Sequence, residues 1–364
     1  MKNDSNRILK LVILLAFSCI AFAASPVHAD DAKKEPAWQP VEKTTFEERT
    51  KAHLAYHPVP FDALMIPFTD VQQLKPMIAK KGQKPGFAGQ MERYIDRYVP
   101  LDEKHEEYLA KRTELADAPL KLIAWCQQNK LGECVEYEAR RGLDRIRDFN
   151  KTEYKPYLRA WLAERDKLQI SYSFPLPLSG EWFVVEDKTK HHRLKYGAAY
   201  AFDMVRKING SQCRGQGLKN EEHYAWGEPI LAQADGVVTV VVDTFEDNRP
   251  RVLGGFNEAN VVTVNYGGGI SAIYGHCQKG SARVKVGDQV KFGDTLALVG
   301  NSGASGAPHL HFTMLDAGHV SIKGRFTFQA SIGKLWKSVE GEDLPEGRTV
   351  RNVVTDDAPL KLFD

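Results

Sequence analysis

The chain has 364 residues, 49 of them basic and 47 acidic, and it is 43% hydrophobic and 26% charged. That length accommodates about two domains at roughly 100–200 residues each, and the composition is that of an ordinary globular protein. The near-balanced charge, with no polybasic tract, argues against nucleic acid as a partner.

Lys2, Arg7 and Lys10 precede an apolar run from Leu11 to Ala24, and Val27-His28-Ala29 then sets small residues before Asp30. This is the layout of a secretory signal peptide over residues 1–29 and predicts a periplasmic or secreted protein. A membrane anchor is the competing reading. The run falls short of the roughly 20 residues that a spanning helix needs, so the chain is not expected to be integral to a membrane. Cys19 lies inside the apolar run, which argues against lipidation. Residues 1–29 carry three basic residues and Asp4, so the remainder holds 46 of each sign.

Residues 30–170 read as a helical domain. Asp102 to Glu114 is a strongly charged, solvated helix, and Leu120 to Trp125 an apolar one. Val135, Ala139, Leu143, Ile146 and Phe149 recur at helical spacing, as do Tyr154, Tyr157, Leu158, Trp161, Leu162 and Leu168. Cys126 and Cys134 flank an expected helix–helix turn at Lys130-Leu131-Gly132. With Cys213 and Cys277 they make an even count for an exported chain. Disulfides Cys126–Cys134 and Cys213–Cys277 are therefore expected. No Cys-x-x-Cys pair is present, which removes a cysteine-built zinc finger.

The period changes at Tyr172-Ser173-Phe174-Pro175-Leu176-Pro177, because two prolines in three residues cannot continue a helix. Residues 171–340 then carry short β-rich runs: Val237 to Val242, Asn260 to Asn265, Ile270 to Tyr274, Ala282 to Val286 and Thr295 to Val299. Such runs, with Gly-rich turns between them, predict a mainly antiparallel sheet. Residues 341–364 are polar and are set apart as a C-terminal tail. The fold class expected is α+β, helical first and antiparallel β second.

The chemistry collects in the β half. In a strand, His309 and His311 point to one face while Leu310 and Phe312 pack into the core. Tyr274-Gly275-His276-Cys277 ends another run, with Cys277 expected on the opposite face from His276. Asp203 is a lone carboxylate in Tyr200-Ala201-Phe202-Asp203-Met204, which is costly to bury unless paired or metal-bound. His191 and His192 stand just upstream. Catalytic zinc needs three protein ligands and an open fourth position, and two histidines with one aspartate satisfy that count. His223, in the charged insertion Arg206 to Tyr224, is expected at the surface.

The segment Gly300-Asn301-Ser302-Gly303-Ala304-Ser305-Gly306-Ala307-Pro308-His309-Leu310-His311-Phe312 resembles the signature end of the lysostaphin/LytM-type zinc peptidases, which act on peptidoglycan. Gly227-Glu228-Pro229, Ala234-Asp235-Gly236, Tyr274-Gly275-His276 and Val286-Gly287-Asp288-Gln289-Val290 follow the family order, from about Pro175 to Leu315. The resemblance implies one zinc per chain, Asp203 and His311 as ligands, and His276 and His309 as catalytic imidazoles. It also implies that His309 serves as base and that His276 donates to the oxyanion. The commonest family form has histidine four residues before the aspartate, where this chain has Ala199. His192 is taken as the first ligand, with His191 as the alternative. The resemblance implies an endopeptidase cutting peptidoglycan stems or cross-links. The competing reading is a catalytically inactive relative that binds the wall or activates another wall hydrolase. The helical domain would then dock a protein regulator or orient the enzyme. A biotinyl- or lipoyl-type carrier is disfavoured, since no Met-Lys-Met-like tripeptide appears.

Overall fold

The computed structural model describes residues 39–49, 103–146, 151–167, 170, 172–194, 198–316 and 320–353. The expected signal peptide lies outside them, as does most of the helical segment before residue 103. Among the described residues no helix is long and apolar enough to cross a membrane.

β1 (Gln39–Pro40) precedes four helices, α1 (Glu103–Glu114), α2 (Pro119–Gln128), α3 (Gly132–Arg145) and α4 (Tyr154–Arg165). Pro119 starts α2, where its missing N–H is not needed. The α2–α3 turn falls where the sequence placed it, with Lys130 at φ +59°. Leu122, Ile123, Val135, Ala139, Leu143, Leu158 and Trp161 interlock as one core. α3 and α4 meet closely at Gly142, where an added Cβ would lie 2.1 Å from the Tyr157 ring. The same core includes Ala199 and Val320 from the β half. Arg165 fixes the junction. Buried at the end of α4, it donates to Asp316 Oδ2 (2.7 Å), Glu136 Oε1 (3.1 Å) and the carbonyls of Val320 and Ser321.

After α4 the chain becomes β2 (Tyr172–Ser173), which pairs in parallel with β1. β3 (Trp182–Val184), the short helix α5 (His191–Leu194), β4 (Phe202–Val205), β5 (Pro229–Leu231), β6 (Gly236–Val242), β7 (Val261–Asn265) and β8 (Ser271–Gly275) follow. β9 (Gln289–Val290), β10 (Thr295–Leu298), β11 (Leu310–Leu315), β12 (Ser321–Ile322), β13 (Phe326–Ile332), β14 (Leu335–Glu342) and β15 (Thr349–Arg351) complete the order. The main sheet runs β14-β13-β15-β3-β4-β11-β8-β7-β6-β9, with β12 also on β11, and β10 pairs with β5 separately. Every pairing among these strands except β1–β2 is antiparallel.

Two expectations change. Residues 282–285 form no strand and Val286 opens a turn; in this segment the Arg283 N–H donates to Leu296 O and the Ala282 N–H to Asp243 Oδ2. The sheet also continues past residue 340: β15 pairs with both β13 and β3, so this part of the supposed tail belongs to the fold. The four cysteines among the described residues, Cys126, Cys134, Cys213 and Cys277, are free thiols. Cys126 and Cys134 are buried and adjacent enough for one thiol to hydrogen-bond the other, which pushes the Cys126 thiol up. Cys213 and Cys277 are not partners. Cys277 packs in the sheet core and donates to Tyr274 O, while Cys213 bridges to His223 within the insertion.

A candidate metal and catalytic site

β11 lies between β4 and β8, and register does most of the positioning. His311 stands opposite Asp203 on one side and Gly275 on the other. Strand alternation sends Leu310 and Phe312 into the core, both fully buried, and leaves His311 on the open face. Gly275 lies directly beneath that imidazole: a Cβ there would be in van der Waals contact with His311 Cβ and Cδ2 at 3.4 Å. His311 Nδ1 is 3.0 Å from Asp203 Oδ1, and His309 Nε2 is 3.4 Å from the same oxygen.

His276 follows β8 at φ +60°, a conformation uncommon for a side chain other than glycine. Its ring centroid lies 4.7 Å from that of His309 and 5.6 Å from that of His311. Cys277 turns to the core, as alternation predicts.

The other half of the site comes from α5. His192 Nε2 lies 3.4 Å from Asp203 Oδ2, and its ring is 5.0 Å from that of His311. His191 Nε2 is 3.8 Å from Asp203 Oδ2, but this side chain is 48% exposed against 7% for His192. His192, Asp203 and His311 offer ligand atoms that all lie within 4.8 Å of one another, a group able to hold a metal ion. Two imidazoles and one carboxylate are donors that zinc accepts. A second such group, Asp187, His191 and His192, overlaps the first through His192.

Charge is shared across this cluster. Burial pushes the Asp203 carboxyl up, but the charge of His309 and hydrogen bonds from His192, His309 and His311 outweigh it and hold Asp203 well below the carboxylate range. Burial, then repulsion from His309 and His311, holds His276 well below the ordinary histidine value. Burial opposes protonation of His309 too, yet the adjacent Asp203 raises it.

Two carbonyls decide the tautomers. His276 Nδ1 is 2.7 Å from Ser302 O, and His309 Nδ1 is 2.8 Å from Ala307 O. A carbonyl only accepts, so each Nδ1 carries a proton; burial favours the neutral ring of His276, whose Nε2 is then unprotonated, whereas His309 Nε2 faces the Asp203 carboxylate. In that tautomer His276 Nε2 is an acceptor.

Some site residues escaped the sequence reading. Asp187 holds α5, through bonds described below. Ser305 Oγ lies 3.2 Å from His309 Nδ1 and donates to Asn301 Oδ1 at 2.6 Å. Asn301 Nδ2 in turn donates to Asn220 Oδ1 (3.0 Å) and Asn248 O (3.1 Å). The turn at 301–303 is thus a support for both His276 and His309. The signal available was a polar pair, Asn301 and Ser305, in the Gly-rich loop between β10 and β11; both are buried. His223 is buried rather than at the surface, with Nε2 near Gly217 O at 3.2 Å, and lies outside the metal groups found.

A mainly antiparallel sheet, with the short helix α5 beside it, presents a His/Asp metal group. Residues 217–322 match Peptidase family M23, and this segment of the chain is a domain of that family. Three similarities give its range. The chain is 47% identical over 58 residues to the "Murein hydrolase activator EnvC" of Escherichia coli (strain K12), covering 16% of this chain and 13% of that one. It is 33% identical over 86 residues to the "DD-carboxypeptidase/endopeptidase Mpg" of Neisseria meningitidis serogroup B (strain ATCC 13091 / M2091), covering 24% and 17%. The catalytic domain of lysostaphin from Staphylococcus simulans aligns with a TM-score of 0.21 at 23% identity, covering 34% and 74%. The chain therefore spans less than a fifth of the length of these curated relatives.

Proposed function

We propose that this protein is a zinc-dependent endopeptidase that hydrolyses peptide bonds in the stems or cross-links of peptidoglycan. The observation that carries the reading is the convergence of His192, Asp203 and His311 within 4.8 Å, with His309 and His276 beside them. His192, Asp203 and His311 would hold one zinc per chain. When bound, zinc supplies Lewis acidity and lowers the pKa of water from about 15.7 toward 7. His309, its Nδ1–H held by Ala307 O, takes the water's proton at Nε2 and returns it to the leaving amine. His276 accepts a second hydrogen bond at its own Nε2 and orients the water. The partially matching Mpg relative, by its printed name a carboxypeptidase/endopeptidase, supports this reaction class. The basic start and apolar run of residues 1–24 support export to the periplasm or beyond.

One observation favours a second reading. The 47%-identical segment belongs to a protein whose printed name is a murein hydrolase activator. On that reading the site is inert and the protein acts through a partner, with the helical region as docking surface. The deciding experiment is mass spectrometry of the products released from purified peptidoglycan sacculi, with and without a zinc chelator. The enzyme reading expects new, chelator-sensitive peptide ends. A folded, zinc-loaded protein that releases none, but stimulates a second wall hydrolase, would favour the activator.

A further inference from the structure

The position four residues before Asp203, in the turn that leads into β4, is occupied by Ala199. Ala199 is buried in the core of the helical region. That position is used for packing, and the first histidine must come from another element. It comes from α5, only four residues long. Such a helix has little stability of its own, because one turn fixes several residues for very few hydrogen bonds. Something outside it must hold His192 still.

One carboxylate does so. Asp187 Oδ1 accepts from the His191 backbone N–H at 3.0 Å and from His191 Nδ1 at 2.7 Å. Asp187 Oδ2 accepts from the His192 backbone N–H at 2.9 Å. Thr189 Oγ1 adds a bond to Oδ1 at 3.2 Å. The Asp187 side chain is only 8% exposed, while its partners His191 and Thr189 stand at the surface. The approach to Asp187 is anchored as well: the Val185 N–H donates to Asp203 O, tying this turn to the strand that carries the metal-facing carboxylate.

We infer that Asp187 is a positioning residue of the metal site, which fixes the His191–His192 turn and thereby presents His192 Nε2 toward Asp203 and His311. This rests on the metal-site reading above. His191 is the companion held by the same carboxylate, its Nδ1–H given to Asp187, and His192 is the ligand.

The test measures zinc affinity of the full chain by competition with a chelating indicator, beside the thermal unfolding of the metal-free protein. Wild type binds one zinc, and His192→Ala abolishes binding. Asp187→Ala weakens binding about 10- to 100-fold, the usual cost of losing a group that supports a ligand, without a matching loss of metal-free stability. Asp187→Asn, which keeps one acceptor oxygen, lies between the two. His191→Ala, which leaves both backbone bonds to Asp187, loses less than Asp187→Ala. Equal affinities for wild type, Asp187→Ala and Asp187→Asn would overturn this inference alone, as would a His191→Ala variant that fails while His192→Ala still binds. A wild type that takes up no zinc would overturn the metal site and the inference together.

Discussion

The two sides of the site are held by different means. Asp203, His309, His311 and His276 sit on or beside three adjacent strands, and sheet register alone brings Asp203 opposite His311. His192 sits on a four-residue helix held by side-chain hydrogen bonds from Asp187. A position set by register is secured by many backbone bonds and by the packing of Phe202, Leu310 and Phe312 beneath it. A position set by one carboxylate depends on that carboxylate. The strand side should therefore tolerate single changes in its supports better than the helix side, while both fail when a metal-facing group is removed.

The largest effect is expected from the shared carboxylate. Asp203 touches His192, His309 and His311, so Asp203→Ala or His311→Ala should take zinc content from one per chain to none, read by elemental analysis after gel filtration. Zinc retained by both variants would break the assignment. Next, His309→Ala should lower turnover about 10²- to 10⁴-fold, the range for a lost acid–base group, with zinc content intact. Loss of zinc in that variant would move His309 among the ligands. Ser305→Ala sharpens the view of the strand side. It removes one contact to His309 Nδ1 but leaves Ala307 O in place, so kcat should fall by about 10-fold or less with KM unchanged. A loss as large as that of His309→Ala would make the Asn301–Ser305 support as essential as the base.

The smallest effect on the site is expected from the helical region. Arg165→Ala would leave Asp316 and Glu136 without their buried cation and should destabilise the fold by about 3 kcal/mol in thermal unfolding. Zinc affinity should stay unchanged, since Asp316 lies beyond the end of β11. A drop in zinc affinity would show that the helices brace the site as well as the sheet.

The strand side was legible in the sequence for a physical reason. His-x-His in a strand points both rings one way, and a lone Asp within Ala201-Phe202-Asp203-Met204 needs a partner. Tyr154–Arg165 was legible because its apolar face repeats at the helical period, and Glu103–Glu114 because it is a run of charged residues unbroken by Gly or Pro. What escaped depended on contacts distant in sequence or on short turns. β13 alternates, but β14 is mostly exposed and β15 is only three residues long, so residues past 340 passed for a tail. His192 could not be separated from His191, because which ring turns inward follows from Asp187 bonding both backbone N–H groups. The tautomer of His276 depends on a carbonyl, Ser302 O, that lies 26 residues away along the chain.

The most direct measurement is anomalous diffraction at the zinc edge from crystals of the zinc-loaded protein. The account predicts one peak, about 2.0–2.2 Å from a nitrogen of His192, a carboxylate oxygen of Asp203 and a nitrogen of His311, with His309 and His276 nearby but unbound. A peak held by His191 in place of His192, a peak that includes His309, or no peak at Asp203 would contradict it.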